Sequence, residues 1–248
     1  MKNKIISIGW DVGGWMGNNH GFAVCTGNPV DGKLTWVGSP VELAIPHGST
    51  FSLEEVISTV GGEGSIDLSE DRVAIGVDAP LGFPVGFTDF LAGDRGGFTR
   101  PEKEIYNGLA YRETDKYIYE NFDKKPLSAV FDRLGTNCTA ALVHVRKWSG
   151  KFGFVVQPRR TKEKRNIYEV YPALVKDGRH TPARPELRRL LPGDVTPGTD
   201  AYDAALCPLM GLGAETDGEI HGVPELVGPP AIDEVVEGEG WIYHFPPG

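Results

Sequence analysis

Two acidic residues close two similar hydrophobic runs: Ile8-Gly9-Trp10-Asp11 near the start of the chain and Ile75-Gly76-Val77-Asp78 further on. An ionisable group at the carboxyl end of a strand is where open α/β sheets place their chemistry. Two more acids stand in comparable settings. Glu169 lies between apolar neighbours in Ile167 to Pro172, and Asp203 lies beside two alanines near the start of a helical stretch. Four carboxylates gathered at one edge would repel and raise one another's pKa unless a cation compensated. Oxygen donors with no paired Cys or His favour Mg²⁺ or Mn²⁺ over zinc. Two such ions activate a water and stabilise a leaving oxygen in phosphodiester hydrolysis. Asp11, Asp78, Glu169 and Asp203 are therefore expected as metal ligands and catalytic residues of a two-metal site. The plainer alternative for Asp11 and Asp78 is turn capping; for Asp200 it is capping of the last helix.

Basic residues supply the candidates for substrate contact. Pro158 to Arg165 gathers five of them around Glu163 in an otherwise acidic chain, and Arg159, Arg160 and Lys164 are the expected contacts to a nucleic-acid backbone. A charge run of this kind also reads as a solvated loop. Arg112 and Asp115, at i and i+3 in Tyr111 to Asp115, either pair on a helix face or leave the arginine to meet a substrate phosphate.

These residues need elements to hold them. Lys4 to Trp10 reads as the first strand, Gly21 to Thr26 as the second and Lys33 to Gly38 as the third, with Asn28 to Gly32 as a hairpin turn. Ser52 to Val60 reads as a helix opened by a Ser52–Glu55 capping box. In Arg72 to Asp78, Val73, Ile75 and Val77 alternate with Ala74 and Gly76, as in a strand buried on both faces of a parallel or mixed sheet. Pro80, Gly82 and Pro84 then force a loop.

Residues 86–148 read as a helical insertion, with helices expected over Glu102 to Phe122 and Ala129 to Trp148. Asp89, Asp94 and Arg100 flank a Gly-rich turn that reads as a loop. Phe152 to Gln157 and Asn166 to Tyr171 read as strands, Ala173 to Lys176 as a helical turn and Arg184 to Leu191 as a short helix. Thr199 to Gly213 reads as the last clear helix, kinked at Pro208, and Gly240 to Pro246 as a returning edge strand.

Composition bounds the class. The 248 residues suffice for one α/β domain, and the absence of any long apolar run predicts no membrane span. Three cysteines without a CxxC pair suggest neither a disulfide framework nor a cysteine metal site, and a cytoplasmic protein is expected. A formal net charge of -9 argues against a general nucleic-acid coating protein and leaves room only for a local basic groove.

Three strands, a helix and a fourth strand, with acids closing the first and fourth, is the order of the ribonuclease H-like fold. A mixed five-stranded sheet flanked by helices is expected, with the helical insertion between the fourth and fifth strands. IGWDVGG, GVDAPLGFP, YRETD, YEVYPAL and TDAYDAALCPL, in this order, resemble the bacterial domain-of-unknown-function family 429 over nearly the whole chain. That resemblance implies a nuclease of ribonuclease H-like fold acting on nucleic acid. Two rival readings remain. Asp11-Val12-Gly13-Gly14 is similar to the phosphate-cradling loop of actin-like phosphotransferases or nucleotidases, and a non-catalytic module could use the acidic edge to bind metal or nucleic acid alone.

Overall fold

A computed structural model describes residues 4–17, 19–64, 66–69, 71–93, 96–132, 134–175 and 184–246. Asp94 and Lys176 lie outside the described residues.

The architecture is α/β, built on one mixed sheet flanked by helices. β1 (Ile5–Asp11), β2 (His20–Asn28) and β3 (Lys33–Trp36) form an antiparallel meander, and β4 (Val41–Leu43) also pairs with β2. After α1 (Leu53–Thr59), opened by the Ser52–Glu55 capping box, β5 (Arg72–Asp78) runs parallel to β1. The helical segment follows, with α2 (Val85–Leu91), a 3₁₀ turn (Glu104–Tyr106), α3 (Glu113–Phe122) and α4 (Leu134–Phe152). β6 (Val155–Val156) and β7 (Arg165–Val170) return to the sheet, and β7 lies parallel to β5. A second 3₁₀ turn (Pro172–Leu174), α5 (Pro185–Arg188), α6 (Asp200–Thr216), α7 (Glu234–Glu239) and β8 (Ile242–Tyr243) complete the described chain.

The strand order is β3-β2-β1-β5-β7-β6, with β4 on β2 and β8 on β7, making eight strands among the described residues rather than the expected five. β6 and β8 fall inside the stretches Phe152 to Gln157 and Gly240 to Pro246 that read as strands, whereas β4, three residues long, is too short to show a period in sequence. The helix expected over Glu102 to Phe122 is α-helical only from Glu113. Before it the chain makes the 3₁₀ turn and then leaves helical geometry at Asn107 (ψ 102°). Among the described residues no helix is long and apolar enough to cross a membrane.

The sheet separates two apolar clusters. Ile6, Ile8 and Trp10 of β1 and Val73, Ile75 and Val77 of β5 face one of them, with Leu53 of α1 and Trp148 of α4. α6 covers the other face, where the opposite parity supplies Ser7, Gly9, Ala74 and Gly76. A Cβ on Gly9 would lie 2.2 Å from Pro208 Cδ, and one on Gly76 would lie 2.3 Å from the Cys207 carbonyl oxygen. The helix backbone therefore rests directly on the sheet. α6 continues through Pro208 to Thr216.

Candidate active site at the carboxyl ends of β1, β5 and β7

Asp11 and Asp78 are register partners across the parallel β1–β5 pair. Neighbouring strands lie about 5 Å apart and side chains of paired residues leave the sheet on the same face, so the two carboxylates are forced together. Both residues are half-buried and both line a cavity of about 200 Å³ at the strand ends. Glu169, Arg112 and Asp115 line it too. Four carboxylates against one guanidinium leave the walls with three formal negative charges.

The loops that carry the two aspartates are pinned. After Asp11, Asn137 of α4 donates to the Val12 carbonyl, and the Trp15 amide donates to Thr136 Oγ1 at 3.1 Å. His20 Nδ1 accepts from the Gly13 amide (3.3 Å) and from Trp10 Nε1 (3.2 Å). Its proton therefore sits on Nε2, which donates to the Gly14 carbonyl at 2.8 Å. Burial lowers the His20 pKa, with the Gly14 bond partly offsetting it, so the ring serves as a neutral clamp. After Asp78, the Leu81 amide donates to Glu169 Oε2 at 2.8 Å. Gly82 is needed next because a Cβ there would meet the Glu239 carbonyl oxygen at 2.2 Å.

Glu169 faces away from the two aspartates. It pairs with Val77, whose side chain is on the opposite sheet face from Asp78, and it is 2 % exposed. Arg112 grips it with Nη1 on Oε2 (2.8 Å) and Nη2 on Oε1 (2.6 Å). The same guanidinium donates through Nε (3.3 Å) and Nη2 (3.1 Å) to Asp115 and through Nη1 (3.2 Å) to the Glu239 carbonyl. All five N–H donors of Arg112 are engaged, so none is left for a substrate phosphate. Of the two roles open to Arg112 in sequence, the structure assigns pairing. Burial works against its charge, but Asp115 and Glu169 outweigh that and raise its pKa well above the usual arginine value. Glu169, expected among the metal ligands, has both oxygens held by protein donors.

Asp203 belongs to the aspartates' face. α6 runs antiparallel to β1: a Cβ on Gly21, the register partner of Asp11, would lie 2.7 Å from the Asp200 carbonyl oxygen, while Ser7, further back along β1, meets Gly211. Asp203 lies one turn before Cys207, which packs on Gly76. Four helical residues rise about 6 Å, the length of the two strand residues from Gly76 to Asp78. Asp203 thus sits at the level of Asp11 and Asp78, although it does not line the cavity. Thr199 rather than Asp200 caps α6, accepting from the Tyr202 amide, and Asp200 accepts instead from Asn19 at 2.6 Å. Among the described residues no three or more His, Cys, Asp or Glu side chains converge as a metal site.

The basic stretch does not line the cavity. Arg159 pairs with Glu237 (3.3 Å), and Lys162 donates to the Ala214 carbonyl (2.6 Å) near the end of α6. Lys164 accepts the Val73 amide through its carbonyl at the start of β5. β5 has seven residues, so Lys164 is about 20 Å from Asp78 along the strand. Arg160 is exposed, and neither it, Arg159 nor Lys164 lines the cavity.

Three contributors escaped the sequence reading. Tyr171 and Asn137 line the cavity, and Glu239 accepts the Val85 amide (2.8 Å) and the Glu113 amide (2.7 Å) behind it. Burial raises the Glu239 pKa. The only local signal was a second tyrosine in the Glu169 stretch. No family model, curated protein or solved structure matches the chain.

Proposed function

We propose that this chain is a Mg²⁺- or Mn²⁺-dependent nuclease that hydrolyses phosphodiester bonds in a domain of ribonuclease H-like topology. The observation that carries the reading is the register pairing of Asp11 with Asp78 at the ends of adjacent parallel strands. Two half-buried carboxylates carried on strands about 5 Å apart repel one another, a cation between them would offset that, and the walls around them are already anionic. The strand sequence β3-β2-β1-β5-β7, with β2 alone antiparallel within it, supports the topology.

Donor chemistry fits a hard divalent ion in a form that differs from the four-carboxylate cluster. Asp11 and Asp78 would hold it, with Asp203 at their level on α6 but outside the cavity lining. Mg²⁺ is commonly bound by one or two carboxylates, its remaining positions going to water and substrate oxygens. Such an ion supplies Lewis acidity, lowering the pKa of a bound water and polarising a phosphoryl oxygen. Arg112 and Glu169 then serve as the rigid wall that fixes the loop after Asp78.

The phosphotransferase alternative needs free amides in the loop after Asp11. Gly13 and Trp15 already donate to His20 and Thr136, which weighs against a phosphate cradle there.

Calorimetric titration of metal-free protein with Mg²⁺ and Mn²⁺, alongside assays on single-stranded, duplex and hybrid substrates and on ATP, tests the proposal. Metal binding and phosphodiester cleavage are expected, with turnover abolished and metal binding weakened in Asp11→Asn. Binding without cleavage of any substrate would indicate the non-catalytic module, and turnover of ATP alone the phosphotransferase.

A further inference from the structure

A phosphoryl group entering this cavity carries negative charge into anionic walls, so it needs hydrogen-bond donors as well as a cation. The lining offers few. Arg112 has spent its five donors, and Asn137 gives one of its two amide hydrogens to the Val12 carbonyl. Tyr171 remains.

Tyr171 immediately follows β7, with Pro172 behind it, and lines the cavity together with Asp11 and Asp78. Its ring is fixed from two sides. It packs against the buried cluster of Ile118, Leu174 and Ile242, and Lys124 Nζ stands 5.3 Å from the ring centroid while donating to the Ala173 carbonyl at 2.5 Å. A rigid ring gives its hydroxyl a fixed position, which is what preorganised stabilisation requires.

We propose that Tyr171 is a catalytic residue: its hydroxyl donates a hydrogen bond to the phosphoryl group held at Asp11 and Asp78. This rests on the hydrolytic reading of the site. Burial, and after it the charges of Asp78 and Asp115, push the phenol above its ordinary pKa, so it remains a donor throughout the neutral range. No proton is transferred and no bond to the phenol forms or breaks. The contact strengthens as charge builds on the phosphoryl oxygens, so it acts on turnover more than on substrate binding.

Tyr171→Phe keeps the ring and its packing and removes only the donor. The Mg²⁺ isotherm is expected to be unchanged, and affinity for inorganic phosphate at saturating Mg²⁺ to fall about tenfold. Turnover kcat is expected to fall by roughly 10²-fold, in the range seen for loss of one preorganised donor, with KM changed by less than about threefold. Values of kcat and phosphate affinity within about twofold of wild type would overturn the inference while leaving the nuclease reading intact. A wild-type protein that neither cleaves phosphodiesters nor binds phosphate with Mg²⁺ would overturn both. If Tyr171→Phe lowers the melting temperature markedly, 3-fluorotyrosine at position 171 gives the second readout. It keeps the ring and a more acidic, stronger donor, so kcat at neutral pH is expected to hold or rise, and a fall like that expected of Tyr171→Phe would overturn the inference.

Discussion

Glu169 and Asp11 are both acids near the carboxyl ends of strands that flank β5, yet their surroundings give them opposite relations to stability. Glu169 is one of two buried counter-ions of Arg112; removing it leaves Asp115 to balance the charge but strands guanidinium N–H groups and the Leu81 amide without an acceptor, at about 1–3 kcal/mol. Glu169→Ala is therefore expected to lose about that much stability to urea in metal-free buffer, while Asp11→Asn, which removes one of two facing like charges, should hold or slightly raise it. A Glu169→Ala protein that is destabilised only when Mg²⁺ is present would mean instead that Glu169 is a metal ligand. The need for a partner was legible in the apolar neighbours of Glu169, and the i, i+3 spacing exposed the Arg112–Asp115 pair. The choice of Arg112 over metal or water was not. The two residues are 57 positions apart, and only the packing of the α3 amino terminus beside β7 joins them.

Elements set how closely these residues meet. α6 rests on β1 and β5 through glycines at positions 9 and 76, and that contact holds Asp203 at the level of the aspartates. Gly76→Ala would put a methyl group 2.3 Å from the Cys207 carbonyl, a backbone atom that retreats only if the helix moves. Overpacking of this kind costs about 1–3 kcal/mol. Gly76→Ala is expected to lower the denaturation midpoint accordingly and to weaken Mg²⁺ binding as Asp203 is lifted away. Loss of stability with an unchanged Mg²⁺ isotherm would show that Asp203 takes no part in holding the ion. The two Ile-Gly-aromatic-or-aliphatic-Asp runs made β1 and β5 readable as strands ending in acids. Their sharing of a register followed only from the fold. β4 escaped the reading, and β6 and β8 are shorter than the stretches read for them, because each is fixed by a neighbour's edge rather than by its own pattern, as when Glu169 and Val170 of β7 pair with Ile242 and Tyr243.

At the scale of the whole molecule, the acidic cavity and the Lys162 to Arg165 part of the basic loop occupy opposite ends of the sheet, while Arg159, paired with Glu237 of α7, is held towards the cavity end. The linear sequence hid this because Lys164 is only five residues from Glu169. Those five residues run along β7, away from one end and towards the other. A substrate engaging the cavity and Lys164 must span about 20 Å, roughly six nucleotides at 3.4 Å per phosphate along a strand. The loop's contribution should then depend on substrate length. Replacing Arg160 and Lys164 with Ala is expected to leave hydrolysis of a dinucleotide unchanged, because neither side chain reaches it. On an oligonucleotide of a dozen or more residues, losing two phosphate contacts should flatten the dependence of log affinity on log salt by about 0.7 per contact on a single strand. Salt titrations of binding with both substrates, in wild type and variant, measure this directly. An equal loss on the dinucleotide would mean that the loop folds over the cavity when substrate binds, and an unchanged slope on the long strand would leave these basic residues as part of a solvated surface.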